Sequence, residues 1–384
     1  MRILVVGSGM YVAGRNNNGT ATVLSSLAQI SKTIFIDEVT IVAKNEKNEE
    51  EINKKIREIN KKLNSNLKIK YISIYKIKLN DLCKKKKFDC AIVSTPDHLH
   101  YKHIKLLLKN KIHVLCVKPL VTTVNEHKKL ISLQKKYNVL GIVEFHKRYD
   151  ESNLYTKKLI FENVLGDIIY FNVDYSQKIT IPTEIFKKWA TKTNIFQYLG
   201  VHYVDLFYYM TKFKPIKAMA YGTKTTLKSK GIDTYDSIHA SIIWKDSKNR
   251  EVISIFNINW IDSVSSSAMS DQKYKIITSN GRIENDQKNR GIELVTDKLK
   301  IQHPNPYFSE YLLDIDGSYE FSGYGYKSIS QFIIDINDII TKNKKIKYFK
   351  NRPTFEDTLI TTYILEAVNN SLKNNSKWEN ICIN

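Results

Sequence analysis

The chain has 384 residues, a formal net charge of +21 and 42% hydrophobic residues. That length exceeds one typical hydrophobic core and predicts two domains. The charge comes from lysines spread along the whole chain, not from an arginine-rich or aromatic-interleaved patch, so nucleic acid is not an expected partner. Anionic small molecules remain attractive ligands.

The sequence gives no sign of a membrane segment or a metal site. No uninterrupted apolar stretch approaches the roughly 20 residues that span a bilayer, and the run Ile3 to Val6 is too short for the core of a signal peptide. The four cysteines, at positions 83, 90, 116 and 382, lack metal-ligand spacing and the density of a disulfide scaffold. We expect a cytoplasmic protein with reduced thiols, no membrane and no bound metal.

The first third of the chain alternates short apolar strands with helices. Strands are predicted at residues 2–6, 38–43, 68–75, 88–96 and 112–117, and helices at 20–30, 46–63 and 97–110. This alternation is typical of a parallel sheet with helices on its faces. We predict an N-terminal α/β domain over residues 1–122.

The pattern changes after a helix at 123–137, a strand at 139–145 and a helix at 151–163. Strands are then predicted at 168–175, 216–221, 236–244, 252–260 and 274–279. They indicate a C-terminal α+β domain over residues 123–384 with an open, mainly antiparallel sheet. Residues 282–323 are predicted to be a loop or lid. Helices follow at 324–340 and 354–372, and the second of these is expected to pack back on the first domain.

The open face of the second sheet bears on the oligomeric state. An exposed apolar sheet face is a surface that a monomer rarely tolerates, so we expect a homodimer or homotetramer built on it.

A glycine turn follows the first strand. Gly7-x-Gly9 supplies a tight turn and close backbone approach, which a pyrophosphate needs at a helix N-terminus, and Met10 and Tyr11 would continue this site. The sixth position of the fingerprint is Val12 rather than glycine or alanine. The pattern therefore indicates a dinucleotide site with an altered loop.

The end of the second strand informs the choice between NAD and NADP. An acid that binds the ribose 2′-hydroxyl is usual there for NAD, but Ala43 is followed by Lys44. Lys44 or Arg15 would pair with a 2′-phosphate, which favours NADP. Glu46 lies close enough to act as the displaced acid, so NAD stays open.

Lys118 is the first catalytic candidate. It follows a buried strand directly, and Pro119 disfavours helical geometry at the lysine, so the ammonium would project at the carboxyl ends of the strands. The alternative is an ordinary surface lysine.

A second group of candidates lies in a later helix. Helical spacing places Tyr198, His202 and Asp205 along one face, where an imidazole could exchange a proton with an alcohol. The alternative is a histidine in a core helix. His146 and Arg148, after the strand at 139–145, are predicted substrate contacts, with solvated charges as the alternative.

Four features in order resemble the glucose-fructose oxidoreductase and inositol dehydrogenase (Gfo/Idh/MocA) family. They are Gly7-x-Gly9, the strand end Thr95-Pro96 with His100 four residues after the proline, Lys118-Pro119 in place of Glu-Lys-Pro, and Gly200-x-His202-x-x-Asp205. Two positions depart from the family pattern: Val117 replaces the glutamate before the lysine, and Tyr198 stands where many members have aspartate.

The resemblance implies a Rossmann dinucleotide-binding domain followed by an open-sheet domain, with a sugar, cyclitol or nucleotide-sugar held between them. By that resemblance Thr95, Pro96 and His100 would contact NAD or NADP. Lys118 would hydrogen-bond the reacting oxygen and the nicotinamide side, and His202, aided by Tyr198, would act as general acid-base. Asp205 would orient a substrate hydroxyl. We expect an NAD(P)-dependent oxidoreductase that acts on CH–OH groups; the alternative is a non-catalytic nucleotide or sugar sensor on the same fold.

Overall fold

The computed structural model describes residues 1–14, 19–44 and 48–383, which form two compact units. The first unit comprises Met1–Val121, Asn125–Asp150 and Tyr307–Thr358, and the second comprises Thr122–Val124, Glu151–Pro306 and Leu359–Asn384. This division differs from a single boundary at residue 122, because residues 125–150 add a strand to the first sheet and residues 307–358 pack around it.

The strands of the described residues are as follows. They are β1 (Arg2–Val6), β2 (Glu38–Ala43), β3 (Ile69–Ser73), β4 (Cys90–Val93), β5 (His113–Val117), β6 (Gly141–Glu144), β7 (Ile168–Lys178), β8 (Lys214–Thr223), β9 (Ser237–Lys245), β10 (Glu251–Asp262), β11 (Ser270–Thr278), β12 (Gly281–Asp286), β13 (Leu294–Thr296), β14 (Lys300–Gln302), β15 (Glu310–Leu313), β16 (Tyr319–Ser322) and β17 (Glu379–Asn380).

The α-helices are α1 (Met10–Ala13), α2 (Thr22–Ile30), α3 (Asn48–Leu63), α4 (Leu79–Lys85), α5 (His100–Lys109), α6 (Val124–Tyr137), α7 (Glu151–Phe161), α8 (Val201–Thr211), α9 (Thr226–Ser229), α10 (Tyr324–Lys342) and α11 (Leu359–Lys373). Two π-helical turns, Ile181–Ile185 and Phe196–Gly200, lie in the second unit.

The first unit is built on a six-stranded parallel sheet in the order β3-β2-β1-β4-β5-β6. Its central strands β1 and β4 are apolar apart from Arg2, because helices cover both faces. Helix α3 shows the matching pattern, since Ile52, Ile56, Ile59 and Leu63 fall on one side and are buried. The α/β prediction for this part of the chain is confirmed.

Helix α10 completes the first unit, although it lies almost 300 residues after α2 in the chain. It packs against α2 and buries Ile329, Phe332, Ile333 and Ile336 in the same core as the sheet. It is α10, and not the helix predicted at 354–372, that packs in the core of the first unit. Helix α11 instead packs on β8 and α8, because its Ile364, Leu365 and Val368 belong to the second core.

The second unit holds a seven-stranded sheet in the order β12-β11-β7-β10-β9-β8-β17. Neighbouring strands are antiparallel except β7 and β10, which run parallel. Alternate residues of β7, namely Phe171, Val173 and Tyr175, enter the core, as a half-buried strand requires. The predicted open, mainly antiparallel sheet is confirmed.

The opposite face of this sheet is less apolar than expected. Side chains across three strands form a hydrogen-bonded row: His239 to Asn257 at 2.9 Å, Asn257 to Asp174 at 3.1 Å and Asn172 to Asp174 at 3.1 Å. Along these strands, alternate residues point to the opposite faces of the sheet, and the residues on the outer face include polar as well as apolar side chains.

The region predicted as a loop, residues 282–323, contains most of β12, which pairs with β11, and two small hairpins. Strand β13 pairs with β14, and β15 pairs with β16. These strands have three or four residues each, which is too short for a clear alternating pattern.

Candidate active site

The glycine turn after β1 leaves space for a ligand on one side only. Gly7 has φ +115°, and a Cβ there would lie 2.1 Å from the carbonyl oxygen of Ser94. A Cβ at Gly9 would meet nothing within 4 Å. The first glycine therefore allows close backbone packing, and the second keeps the surface open, which fits the approach of a pyrophosphate.

The residues after the turn form the short helix α1. Met10 lies against Gly19, Val12 is buried, and burial raises the pKa of Tyr11 well above its ordinary value. The negative charge of Glu144 raises the pKa of Tyr11 further. The predicted contact at Arg15 lies outside the described residues.

The end of β2 presents positive charge. Lys44 is exposed. Burial lowers the pKa of His103 to about 4, and His100, Lys102 and, least of all, Lys44 add to that fall. Thr95 Oγ1 lies 3.4 Å from Nδ1 of His103. The predicted cofactor contacts Thr95 and Lys44 are therefore both near one histidine on α5.

His100 holds the loops after β4 and β5. Its Nδ1 lies 2.8 Å from the carbonyl oxygen of Pro119, and its Nε2 lies 2.7 Å from that of Thr95. Both ring nitrogens therefore face backbone, not solvent. This gives the predicted cofactor residue His100 a structural role, and a direct contact with the cofactor stays a prediction.

Lys118 lies directly beyond β5 and is half-buried, and its peptide bond to Pro119 is cis. Burial lowers the pKa of Lys118 to about 7, and the negative charges of Glu144 and Asp97 act against that fall. A lysine with a pKa near neutrality can donate or release a proton at ordinary pH. Lys118 is thus less exposed than an ordinary surface lysine, and its catalytic role stays a prediction.

Glu144, at the end of β6, was not among the predicted site residues. It is 3% exposed, accepts a hydrogen bond from the Ser328 hydroxyl, and lies 3.1 Å from Nδ1 of His146. The ring of His146 stacks on Tyr324. A carboxylate that ends an apolar strand beside the lysine strand was the signal available in the sequence.

Arg148 is buried rather than solvated. It is 4% exposed, and its Nη1 donates to Oδ2 of Asp357 at 2.6 Å. The guanidinium also lies over the ring of Phe145. This ion pair gives Arg148 a packing role within the first unit; contact with a substrate stays a prediction.

The second unit holds the other predicted group. His202 and Asp205 lie one turn apart on α8 and are 4% and 1% exposed. Tyr198 lies in the preceding π-helical turn rather than in a continuous α-helix. Gly200 lies between the π-helical turn and α8. A Cβ at this position would lie 2.6 Å from the Phe196 ring and 2.9 Å from Ile258, so the close packing here requires glycine.

The phenol of Tyr198 stays protonated at neutral pH. Burial raises the pKa of Tyr198 to about 12, and a hydrogen bond with Gln177 opposes that rise. The ring contacts Phe186 and Trp260. A neutral phenol can donate a hydrogen bond, but it cannot act as an orienting anion.

The described residues contain no group of three or more histidine, cysteine or acidic side chains suited to a metal ion. Among the same residues, no helix is long and apolar enough to cross a membrane.

Comparison with known proteins supports the motif analysis. Residues 1–145 match the family model described as an oxidoreductase family with an NAD-binding Rossmann fold, and residues 154–284 match the GFO/IDH/MocA C-terminal domain. The scyllo-inositol 2-dehydrogenase (NADP(+)) IolW of Bacillus subtilis is 32% identical over 118 residues, which are 30% of this chain and 33% of that protein. The match thus spans about a third of this relative.

Solved structures share the fold over nearly the whole chain. The myo-inositol 2-dehydrogenase of Lactobacillus plantarum has a TM-score of 0.70 at 17% identity and covers 99% of both chains. A scyllo-inositol dehydrogenase of Lactobacillus casei, with bound NAD(H) and scyllo-inositol, has a TM-score of 0.69 at 14% identity and covers 99% of this chain and 98% of its own. With both family models matched in order, this chain belongs to the Gfo/Idh/MocA oxidoreductase family.

Proposed function

We propose that the protein is an NAD(P)-dependent oxidoreductase that interconverts a hydroxyl and a keto group on a sugar, cyclitol or nucleotide-sugar. The observation that carries the proposal is Lys118, whose pKa lies near 7, at the same strand edge as the Gly7-x-Gly9 turn. In open parallel sheets, ligands bind at the carboxyl ends of the strands.

The proposed reaction divides the work between proton handling and charge stabilisation. Bound nicotinamide would accept or supply the hydride. Lys118 would donate a hydrogen bond to the reacting oxygen and stabilise the negative charge that develops on it. His202 would take or return the hydroxyl proton, since imidazole titrates near neutrality.

Supporting roles follow from the neighbours of these two groups. Asp205, one turn after His202, would orient a substrate hydroxyl. Tyr198 would act as a neutral hydrogen-bond donor, in keeping with the rise of its pKa to about 12. His146 and Arg148 would contact the substrate from the first unit.

The test is turnover by a Lys118→Ala variant. Incubation with NAD or NADP and a panel that includes myo-inositol, scyllo-inositol, hexoses and nucleotide-sugars is followed at the reduced-nicotinamide absorbance band. We expect the variant to lose about 10²- to 10³-fold in kcat while it still binds cofactor. Lys109→Ala, which changes an exposed lysine of α5, is the matched control and should leave kcat unchanged. Unchanged turnover in Lys118→Ala would refute the assignment.

The rival function, a nucleotide or sugar sensor, has its own signature in this assay. Tight cofactor binding by the wild-type protein without turnover across the whole panel would favour the sensor.

For the cofactor we propose NADP over NAD. The support is the exposed Lys44 at the end of β2, whose charge acts on His103 together with that of Lys102. An ammonium there can pair with a 2′-phosphate, which NAD lacks. A Lys44→Ala variant should weaken NADP binding about tenfold and leave NAD binding unchanged, as measured by titration calorimetry. Equal losses for both cofactors would contradict the preference.

We also propose a homodimer or homotetramer built on the outer face of the second sheet. The polar row on that face would give hydrogen-bonding groups to such an interface. Light scattering that shows only monomer would refute this assembly.

A further inference from the structure

Strands β5 and β6 end side by side at the position of the candidate lysine. The two strands are parallel, and Val117 is the register partner of Glu144. Lys118 is the next residue after Val117, so a carboxylate on β6 lies opposite the residue before the lysine on β5. The resemblance noted above places a glutamate on β5 itself, where this chain has Val117.

The carboxyl group of Glu144 is buried and makes a polar contact through each of its two oxygens. It is 3% exposed, and one carboxylate oxygen accepts the Ser328 hydroxyl while the other lies 3.1 Å from Nδ1 of His146. A buried carboxylate is costly unless it is hydrogen-bonded and compensated by positive charge. The two contacts orient both oxygens, and Lys118, the residue after β5, is a cation whose pKa responds to the charge of Glu144.

The charge of Glu144 acts on several groups around it. It opposes the fall in the pKa of Lys118 caused by burial, and its effect there exceeds that of Asp97. It also raises the pKa of Cys116 and of Tyr11 above the effect of burial. The groups that its charge or hydrogen bonds reach are, element by element, Tyr11 on α1, Cys116 and Lys118 at β5, His146 and Tyr149 in the turn after β6, and Ser328 on α10.

Asp97 is the other carboxylate near the lysine, but it has a different principal task. Its Oδ1 accepts the backbone N–H of His98 at 2.7 Å, at the start of the turn before α5. Of the two carboxylates, Glu144 therefore has the larger influence on the charge of Lys118.

We propose that Glu144 is the positioning carboxylate of Lys118, supplied from β6 to take the place of the glutamate that this chain lacks at position 117. It favours the charged form of the Lys118 side chain and directs it for hydrogen bonding to the reacting oxygen. The proposal deepens the proposed function and rests on it for its kinetic part alone.

The first test does not depend on turnover. Between the folded pKa of Lys118, about 7, and the unfolded value of 10.5, the unfolded chain binds a proton that the folded chain does not, so the free energy of unfolding rises with pH in that window. Subtracting the pH profile of a Lys118→Met variant isolates this rise. The corresponding rise for Glu144→Gln is obtained by subtracting the profile of Glu144→Gln/Lys118→Met. It should begin about one pH unit lower than the rise in the wild type.

The matched control is Ser328→Ala, which removes a hydrogen bond to Glu144 but leaves the carboxylate. Its rise should begin nearer to the wild-type pH than that of Glu144→Gln does, because the carboxylate charge remains. If Glu144→Gln and Ser328→Ala behave alike, or if the rise in Glu144→Gln begins at the wild-type pH, the proposal is overturned. If the Glu144→Gln variant does not fold, Glu144→Asp takes its place in the comparison. Because Glu144→Asp keeps the carboxylate, its stability should begin to rise at the wild-type pH.

The second test restores the charge on the other strand. In Val117→Glu/Glu144→Gln the carboxylate returns to the residue before the lysine, and the onset should move back towards the wild-type pH. In turnover assays the same pair should show kcat/KM at pH 7 falling about fivefold in Glu144→Gln, in step with the charged fraction of Lys118, and recovering in the double variant. A wild-type protein without turnover would refute the oxidoreductase while the stability profiles still decide the role of Glu144.

Discussion

The imidazole of His100 joins two loops of the first unit, because its Nδ1 lies 2.8 Å from the carbonyl oxygen of Pro119 and its Nε2 lies 2.7 Å from that of Thr95. Carbonyl oxygens only accept hydrogen bonds, so a neutral ring donates to one of them, and only the protonated ring donates to both. Burial lowers the pKa of His100, and the two carbonyls oppose that change. The loop that carries Lys118 is therefore held by a side chain from α5.

Replacing His100 by phenylalanine should lower the free energy of unfolding by about 1–3 kcal/mol, because it removes the ring N–H that donates to one of the carbonyl groups of Pro119 and Thr95. Urea denaturation followed by circular dichroism measures the change. His98→Ala, two residues earlier and partly exposed, should change stability by less than about 0.5 kcal/mol. Equal stability of the His100 variant and the wild type would show that the two bonds contribute nothing.

Acid should destabilise the fold through histidines that are neutral when folded. Nδ1 of His113 accepts the backbone N–H of Leu140 at 2.8 Å, and burial lowers the pKa of His113 to about 4. Between pH 6.5 and 4 the unfolded chain binds a proton that the folded chain does not, so stability falls as pH falls. That shift corresponds to at most about 3 kcal/mol.

A His113→Asn variant keeps an acceptor for the Leu140 N–H but has no titratable ring. We expect its stability to fall less steeply than that of the wild type between pH 6.5 and 4, in urea unfolding at a series of pH values. His239→Gln, which changes an exposed histidine of the second sheet, should retain the wild-type slope. A His113→Asn profile parallel to the wild type would remove His113 as a cause.

The sequence predicted what depends on local pattern and missed what depends on distant partners. Apolar runs and glycine turns identified the parallel sheet, and Lys118 was identified from the strand before it. The partners of Glu144 could not be found in this way, because Ser328 lies 184 residues further along the chain. Tyr198 was placed by α-helical spacing, but Gly200 packs closely on Ile258 and the turn before it is π-helical.

The ion pair between Arg148 and Asp357 tests whether the arginine has a structural role. The two side chains are 4% and 18% exposed, so Arg148→Met should cost about 3 kcal/mol by removing the cation from a largely buried carboxylate. A double variant with Asp357→Leu should lose less than the sum of the two single changes, and a double-mutant cycle in guanidinium measures the difference. An Arg148→Met protein with wild-type stability but a raised KM would instead support the predicted contact with substrate.

The two glycines of the cofactor turn should respond oppositely to alanine. At Gly9 the backbone has φ −72° and a Cβ would meet nothing within 4 Å, so Gly9→Ala should fold with wild-type stability. Its methyl group would occupy the side open to a pyrophosphate, and we expect cofactor binding to weaken by about 1.4 kcal/mol or more, a factor of about ten.

At Gly7 the methyl group would lie 2.1 Å from the carbonyl oxygen of Ser94 at φ +115°, so Gly7→Ala should destabilise the folded chain itself. Thermal unfolding and fluorescence titration with NADPH separate the two effects. If Gly9→Ala binds NADPH as tightly as the wild type does, the cofactor does not approach this turn. The dinucleotide would then have to be held elsewhere on the sheet edge, away from Gly9 but still within reach of Lys118.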